Sequence, residues 1–153
     1  MNPTLEKIEK EIEAKVSPEN KEGYQRTVIA GMKLMFDSKT HANMELVKNP
    51  RARQQPVETV AAGVAGLMWT MFMQSKRKMP YEVMILAGTT LLAKVIDFAE
   101  QGLGIQFDNA MIAQATKLLA ENMFRRMGIT PQQLTEAIQK GKAEIDQHQG
   151  APA

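Results

Sequence analysis

Three side chains with metal-binding chemistry fall together in one short segment of this 153-residue sequence. His41 lies four residues after Asp37 and four residues before Glu45. Residues four apart share one face of a helix, so these side chains would form a carboxylate, histidine and carboxylate set of the kind that binds zinc. The polar face of a short helix is the favoured interpretation, because no His-Glu-x-x-His or Glu-x-x-His pair adds further ligands.

The other reactive residue types are absent or isolated. The chain has no cysteine, which excludes thiolate nucleophiles, disulfides and cysteine-based metal sites. His148 has no positioned partner, and Gly63 and Gly66 do not form a phosphate loop, because no strand precedes them and no Lys-Ser/Thr pair follows at the right spacing. We therefore predict a protein that is not an enzyme and that has no cofactor, metal or small-molecule substrate.

Basic residues are concentrated in the centre of the chain. The net charge is only +2, but residues 23–80 carry nine Lys and Arg against three Asp and Glu. Five cations in predicted connectors could contact phosphates of nucleic acid or lipid headgroups: Arg51, Arg53, Lys76, Arg77 and Lys78. A solvated loop, or contact with the acidic helices of a neighbouring copy, is favoured over this, because no aromatic residues are interleaved for base stacking.

The elements that carry these residues are predicted to be helices, since apolar residues recur at helical spacing along nearly the whole chain. We expect an all-α fold, a compact bundle of about six or seven helices. It comprises an amphipathic N-terminal helix in residues 1–16, a helical core domain in 17–147 and a polar tail in 148–153. Start and stop signals place helices at 4–15, from Ser17-Pro18 to Phe36, after Asp37 or Ser38, at 57–74, 80–101 and 109–127, and after Thr130, with a polar connector at 48–56.

The two apolar helices, predicted at 57–74 and 80–101, are expected to pack as a central antiparallel hairpin. The first carries small residues four apart twice, Ala61 with Ala65 and Ala62 with Gly66, which let another backbone approach closely. Large, adaptable Met and aromatic side chains follow. We expect part of this surface to contact other subunits, and the predicted interface residues are Ala61, Ala62, Ala65, Gly66, Trp69, Phe72 and Met73.

A membrane alternative remains for the same helices. The uncharged run of residues 59–73 would span only about 22 Å at 1.5 Å per residue, against a hydrocarbon core of about 30 Å. We therefore expect no constitutive transmembrane helix, although the two apolar helices joined by Lys76-Arg77-Lys78 could insert as a hairpin after a conformational change. The first residues lack the pattern of a secretory signal peptide, so we expect synthesis in a host cytoplasm.

Several segments of the sequence together indicate a class of protein. They are the charged first helix from Leu5 to Val16, the small-residue and Met-rich stretch from Ala61 to Met73, the helix start Thr130-Pro131-Gln132-Gln133 and the Gln-rich tail. In these segments the chain resembles the small all-α virion proteins of tailed bacteriophages, which include head-tail components and proteins ejected with the genome. The resemblance implies a multi-copy structural role in a virion, as a homo-oligomer among other virion proteins. The alternative is a membrane- or nucleic-acid-contacting part of a genome-delivery channel.

Overall fold

The computed structural model describes residues 2–36, 50–128 and 132. Within these residues it contains six α-helices and no strand, which confirms the all-α prediction. A 3-10 turn at Pro18–Asn20 precedes the second helix. The helices are α1 (Pro3–Lys15), α2 (Lys21–Met35), α3 (Pro50–Gln54), α4 (Pro56–Gln74), α5 (Tyr81–Leu103) and α6 (Asn109–Arg126).

The chain divides into two compact units, Met1–Met123 and Phe124–Ala153. The first unit holds α1 to α5 and most of α6. In the second, the structure describes the end of α6, the following Gly128 in the left-handed region (φ 74°) and Gln132. The short helix predicted after Asp37 or Ser38 lies outside the described residues, as does the helix predicted after Thr130, apart from Gln132.

α5 is the central helix of the first unit, and α1, α2 and α4 pack against it. It is buried over most of its circumference, because these three helices surround it. Its buried residues are Val83, Met84, Ala87, Gly88, Thr90, Leu91, Leu92, Ala93, Val95, Ile96 and Ala99. Helix α5 therefore forms the centre of the core of the first unit, and α1, α2 and α4 pack around it.

Two glycines allow other helices to approach closely. A Cβ at Gly31 of α2 would overlap the side chain of Leu91 in α5, whose Cδ2 would lie only 3.0 Å away. A Cβ at Gly88 of α5 would lie 3.3 Å from both Met68 Cγ of α4 and Met123 Sδ of α6. Helix α2 therefore packs on α5 through a residue without a side chain, and α4 and α6 meet over another.

Helix ends follow the sequence signals in three places. Pro56 begins α4, Gly104 ends α5 in the left-handed region (φ 69°), and Asp108 Oδ1 accepts a 2.8 Å hydrogen bond from the Met111 N–H at the start of α6. The predicted connector at 48–56 is different, because it contains the short helix α3. The buried Ala52 explains this: its carbonyl accepts a hydrogen bond from the Gln55 N–H and lies 3.3 Å from Thr59 Oγ1 of α4, so a helical turn forms against α4.

Candidate interaction surfaces

Helix α4 has a core side and an outer side, and the predicted interface residues divide between them. Ala61, Ala65 and Phe72 are buried within the first unit, with exposed fractions of 0%, 0% and 6%. They pack towards the core together with Met68, because residues spaced by three and four lie on one helix face. These three predicted contacts therefore serve the fold of a single chain and offer no surface to a partner.

The other four predicted residues follow one another along the outer side of α4 at spacings of four, three and four. Ala62 is exposed, Met73 is 42% exposed, and Gly66 and Trp69 are half-buried. We call Ala62, Gly66, Trp69 and Met73 the outer stripe. The Trp69 ring lies 5.8 Å from the ring of the buried Phe72, centroid to centroid, so the core holds the indole in position.

The outer side of α4 has little polar character. No Asp, Glu, Lys or Arg occurs between Glu58 and Lys76. Two of its hydroxyls are turned back to the helix backbone: Thr59 Oγ1 donates to the Gln55 carbonyl at 2.8 Å, and Thr70 Oγ1 donates to the Gly66 carbonyl at 3.0 Å. The surface along the outer stripe is consequently apolar and uncharged from Ala62 to Met73, and the exposed Glu58 lies one turn before Ala62.

A cationic turn, Lys76–Lys78, follows α4 directly. All three residues are exposed, and Lys76 and Arg77 both adopt left-handed backbone conformations, with φ of 58° and 62°. Exposed apolar side chains lie on either side in sequence, Met73 before the turn and Tyr81 after it, the latter 56% exposed. The turn thus combines three positive charges with apolar flanks.

The predicted phosphate contacts do not form one patch. Arg53 is an exposed residue of α3, before the start of α4, whereas Lys76, Arg77 and Lys78 follow its end. The 19 residues of α4 separate the two groups by roughly 28 Å at 1.5 Å per residue. Arg51 also belongs to α3, but its side chain lies outside the described residues. The cationic turn is therefore a separate basic surface, distant from Arg53.

Glu82 at the start of α5 joins the N-terminal region to the core. Its carboxylate accepts hydrogen bonds from the Ser17 N–H at 3.2 Å, from the Ser17 hydroxyl at 2.6 Å and from the Asn20 side-chain amide. Burial raises the pKa of Glu82, but the hydrogen bonds from Ser17 and Asn20 together outweigh it and leave the pKa below its ordinary value. Ser17 directly precedes the 3-10 turn, and its side chain binds this carboxylate and does not cap the backbone of the turn.

A crevice of about 310 Å³ lies between α1, α2 and α5. On its wall, the Tyr24 and Thr90 hydroxyls share a 2.8 Å hydrogen bond, and Lys94 Nζ lies 2.9 Å from Glu9 Oε1 without the alignment of a hydrogen bond. Burial raises the pKa of Tyr24, an effect that the bond to Thr90 only partly offsets and to which Glu13 and Glu9 add. These groups connect three helices across long sequence separations, which is why sequence reasoning did not find them.

In the described ranges, no group of three or more His, Cys, Asp or Glu side chains could hold a metal ion. The set of Asp37, His41 and Glu45 lies outside these ranges, and so does His148.

One described helix, α4, is long and apolar enough to cross a membrane by length and composition. Its mean hydropathy is 1.2, and 44% of the apolar window is buried within the fold. Core helices of soluble proteins have the same properties, so this finding agrees with the expectation that the chain has no constitutive transmembrane helix.

The outer stripe and the cationic turn adjoin each other at Met73, and both are parts of one helix and the turn that follows it. No protein-family model, no curated protein and no solved structure matches this chain.

Proposed function

We propose that this chain is a non-enzymatic, self-assembling structural protein, a multi-copy component of a bacteriophage virion. The observation that carries the proposal is the outer stripe of α4, which leaves an uncharged surface with a 42% exposed methionine along one side of a core helix. Exposed apolar surface of this kind is typical of contact with another protein. The occupant that we propose is a second copy of this chain.

The shape of the outer stripe supports self-association. Its first half has small residues, Ala62 and Gly66, and its second half has large ones, Trp69 and Met73. Two copies related by a two-fold axis perpendicular to α4 would place α4 antiparallel to α4, with the large residues of one copy over the small residues of the other. Small residues let helix backbones approach closely, and methionine adapts to irregular gaps. Because the outer stripe itself carries no charge, pairing of two stripes brings no like charges together.

The strength of this contact is limited by its length. Helix α4 is roughly 28 Å long, so one pair of stripes buries less than the about 1,000 Å² expected of a stable, independent interface. We therefore expect weak pairing that depends on concentration. Many weak contacts of this kind become strong when copies are held together in one particle, because the later contacts are intramolecular.

Light scattering after size-exclusion chromatography tests self-association, with the full chain loaded over a wide concentration range. We expect a mass near 17.1 kDa at low concentration and a rising mean mass at high concentration. The variant Met73→Glu should weaken association by about tenfold or more, because pairing would bury an unpaired charge. A wild-type chain that stays monomeric at every concentration would show that the proposal is wrong.

Ile29→Glu is the matched control, since Ile29 is an exposed apolar residue of α2 (57% exposed) that lines the crevice between α1, α2 and α5, to which α4 contributes no residue. This variant adds the same charge and should associate as the wild type does. Equal effects of the two variants would assign the association to general surface hydrophobicity. Quantitative mass spectrometry of purified particles tests the virion role, which requires several copies of the chain per particle.

A further inference from the structure

The turn after α4 is held in a fixed conformation by its backbone hydrogen bonds. The N–H groups of Ser75, Lys76 and Arg77 donate to the carbonyls of Met71, Met73 and Phe72 at 3.0, 2.9 and 3.1 Å. The Lys78 N–H donates to the Ser75 carbonyl at 3.2 Å, and the Met79 N–H donates to the Ser75 hydroxyl at 3.1 Å. The backbone donors of the turn are therefore occupied, and only its side chains can bind an anion.

Two residues of the turn after α4 adopt an unfavourable backbone conformation. Left-handed conformations at helix ends usually fall on glycine, which has no Cβ to clash with the backbone. Glycine is used in this way after α5, at Gly104, and after α6, at Gly128, but the turn after α4 has Lys76 and Arg77 in the left-handed region. Strain that persists in a structure points to a functional constraint, and the property that these two residues supply and glycine does not is charge.

The charge of the turn is not neutralised by its neighbours in sequence. No Asp or Glu occurs between Glu58 and Glu82, and the Glu82 carboxylate already accepts hydrogen bonds from Ser17 and Asn20. The flanking residues Met73 and Tyr81 are 42% and 56% exposed, and Met79 is half-buried. The partner of this surface must consequently offer many negative charges and also accept apolar side chains.

We propose that the cationic turn, with Met73 and Tyr81, binds the headgroup region of an anionic lipid bilayer. Lys and Arg side chains are attracted to the phosphates of an anionic membrane surface. Tyrosine is enriched at the membrane–water interface, where its ring lies among the headgroups and its hydroxyl reaches water. Nucleic acid would satisfy the charges, but it buries a methionine only where bases are unstacked, which costs free energy, so lipid is the better match.

The binding that we propose is peripheral. Insertion of α4 into the hydrocarbon would expose its core side, where Ala61, Ala65 and Met68 are fully buried. Contact through the turn alone requires no such rearrangement, because the three cations and both flanking residues are exposed in the folded chain. This inference does not depend on self-assembly, and a chain that fails to associate would still bind lipid through the turn.

Vesicle co-flotation of the full chain tests the proposal, with vesicles of equal parts phosphatidylcholine and phosphatidylglycerol and vesicles of phosphatidylcholine alone. We expect binding to the anionic vesicles that falls steeply as salt is raised, and little binding to the neutral ones. Reversal of the turn, Lys76→Glu with Arg77→Glu and Lys78→Glu, should reduce the partition coefficient by about a hundredfold, since each cation contributes about fivefold. Loss of binding by no more than a few-fold would overturn the proposal.

A matched charge control is available on α1, where Lys7, Lys10 and Lys15 are exposed. Reversing these three to Glu changes the net charge by the same amount and should leave most of the binding intact. An equal loss in both triple variants would mean that only net charge attracts the chain, and it would overturn the assignment to the turn. Lys78→Gln, at a residue whose φ is not positive, should weaken binding about fivefold without altering the strained backbone.

The apolar flanks distinguish lipid from nucleic acid. Met73→Ser combined with Tyr81→Ser should weaken vesicle binding by about tenfold, while Ile29→Ser, which removes an exposed apolar residue elsewhere, should have no effect. A duplex DNA serves as the competing probe in a gel-shift assay. Tighter binding to the DNA than to anionic vesicles, unaffected by the Met73 and Tyr81 substitutions, would show that the partner is nucleic acid and that the lipid proposal is wrong.

Discussion

Glu82 shows how one carboxylate stabilises two distant parts of the fold. It lies on α5, and its three hydrogen-bond donors come from Ser17 and Asn20, more than 60 residues earlier in the chain. Charged acceptors form stronger hydrogen bonds than neutral ones. The segment between α1 and α2 is therefore fixed to the core by this side chain.

The substitution Glu82→Gln should lower the free energy of unfolding by about 1 kcal/mol at pH 7, because the amide accepts these bonds less strongly. The carboxyl pKa is lower in the folded chain than its value of 4.5 when unperturbed, so its stabilisation is present above pH 4.5 and is lost as the pH falls through the folded pKa. Urea denaturation of both proteins at pH 7 and near pH 3 checks this. A difference that does not shrink in acid would contradict it.

Lys76 carries a strained conformation that glycine would relieve. Left-handed conformations cost non-glycine residues about 1–2 kcal/mol, and glycine loses about 0.5–1 kcal/mol through its extra freedom in the unfolded chain. Lys76→Gly should therefore raise the free energy of unfolding by up to about 1 kcal/mol while weakening lipid binding. Urea denaturation measures the gain, and Lys78→Gly, at a residue without positive φ, should not show it.

At the scale of elements, the packing of α2 on α5 depends on Gly31. The absence of a side chain there lets the two helices approach until Gly31 faces the side chain of Leu91. Gly23 lies on the same helix two turns earlier, where a Cβ would meet only Val83 Cγ2 at 3.8 Å, an ordinary contact distance. Both residues are glycines of α2, but only Gly23 has room for a methyl group.

Gly31→Ala should lower the free energy of unfolding by about 1–3 kcal/mol, because the new methyl group forces α2 and Leu91 apart. Gly23→Ala is the control and should raise it by about 0.5–1 kcal/mol, since alanine has the higher helix propensity and finds room. Thermal and urea denaturation of both variants measure the effects. Equal gains in stability would show that α2 does not pack on α5 as closely as the structure has it.

The helices could be predicted from the sequence because their ends carry local signals. Pro56, Gly104 and Asp108 mark the ends of α4, α5 and α6 through backbone rules that involve only neighbouring residues. α3 could not be predicted, because its single turn is fixed by a contact between Ala52 and α4. Tertiary contacts decide such short helices, and the sequence does not reveal which residues meet.

The candidate surfaces could be predicted only in part, because the sequence does not reveal which side of a helix faces the core. Spacing identified a helix with small and large apolar residues, but it did not indicate which side faces the core. The structure assigns Ala61, Ala65 and Phe72 to the inside and leaves Ala62 and Met73 exposed. The positive φ angles of Lys76 and Arg77 have no sequence signal, because glycine, the usual marker of that conformation, is absent there.

At the scale of the whole molecule, the two proposed surfaces share Met73. Antiparallel pairing through the outer stripe would cover this side chain and place the two cationic turns at opposite ends of α4, roughly 28 Å apart. The lipid surface that we propose also uses Met73. A copy that binds lipid through this residue is therefore unable to form the pair, and the two contacts exclude each other.

Anionic vesicles should consequently dissociate paired chains. Because the chain has no cysteine, Lys10→Cys on the exposed side of α1 gives a single labelling position for energy transfer between copies. Energy transfer between copies should fall when phosphatidylglycerol vesicles are added, because lipid binding and pairing compete for Met73. It should stay constant when phosphatidylcholine vesicles are added. Constant transfer in the presence of saturating anionic vesicles would contradict a shared residue.

The exposure of Met73 also leaves its thioether open to oxidants. Among the methionines of the described residues it is the exposed one, while Met35, Met68, Met84 and Met123 are almost fully buried. Oxidation converts a methionine thioether into a polar sulfoxide, and accessible thioethers react first. Mild peroxide should therefore modify Met73 before the core methionines, and peptide mass spectrometry would detect it. The resulting sulfoxide would weaken both contacts of this residue, and methionine sulfoxide reductase would restore them.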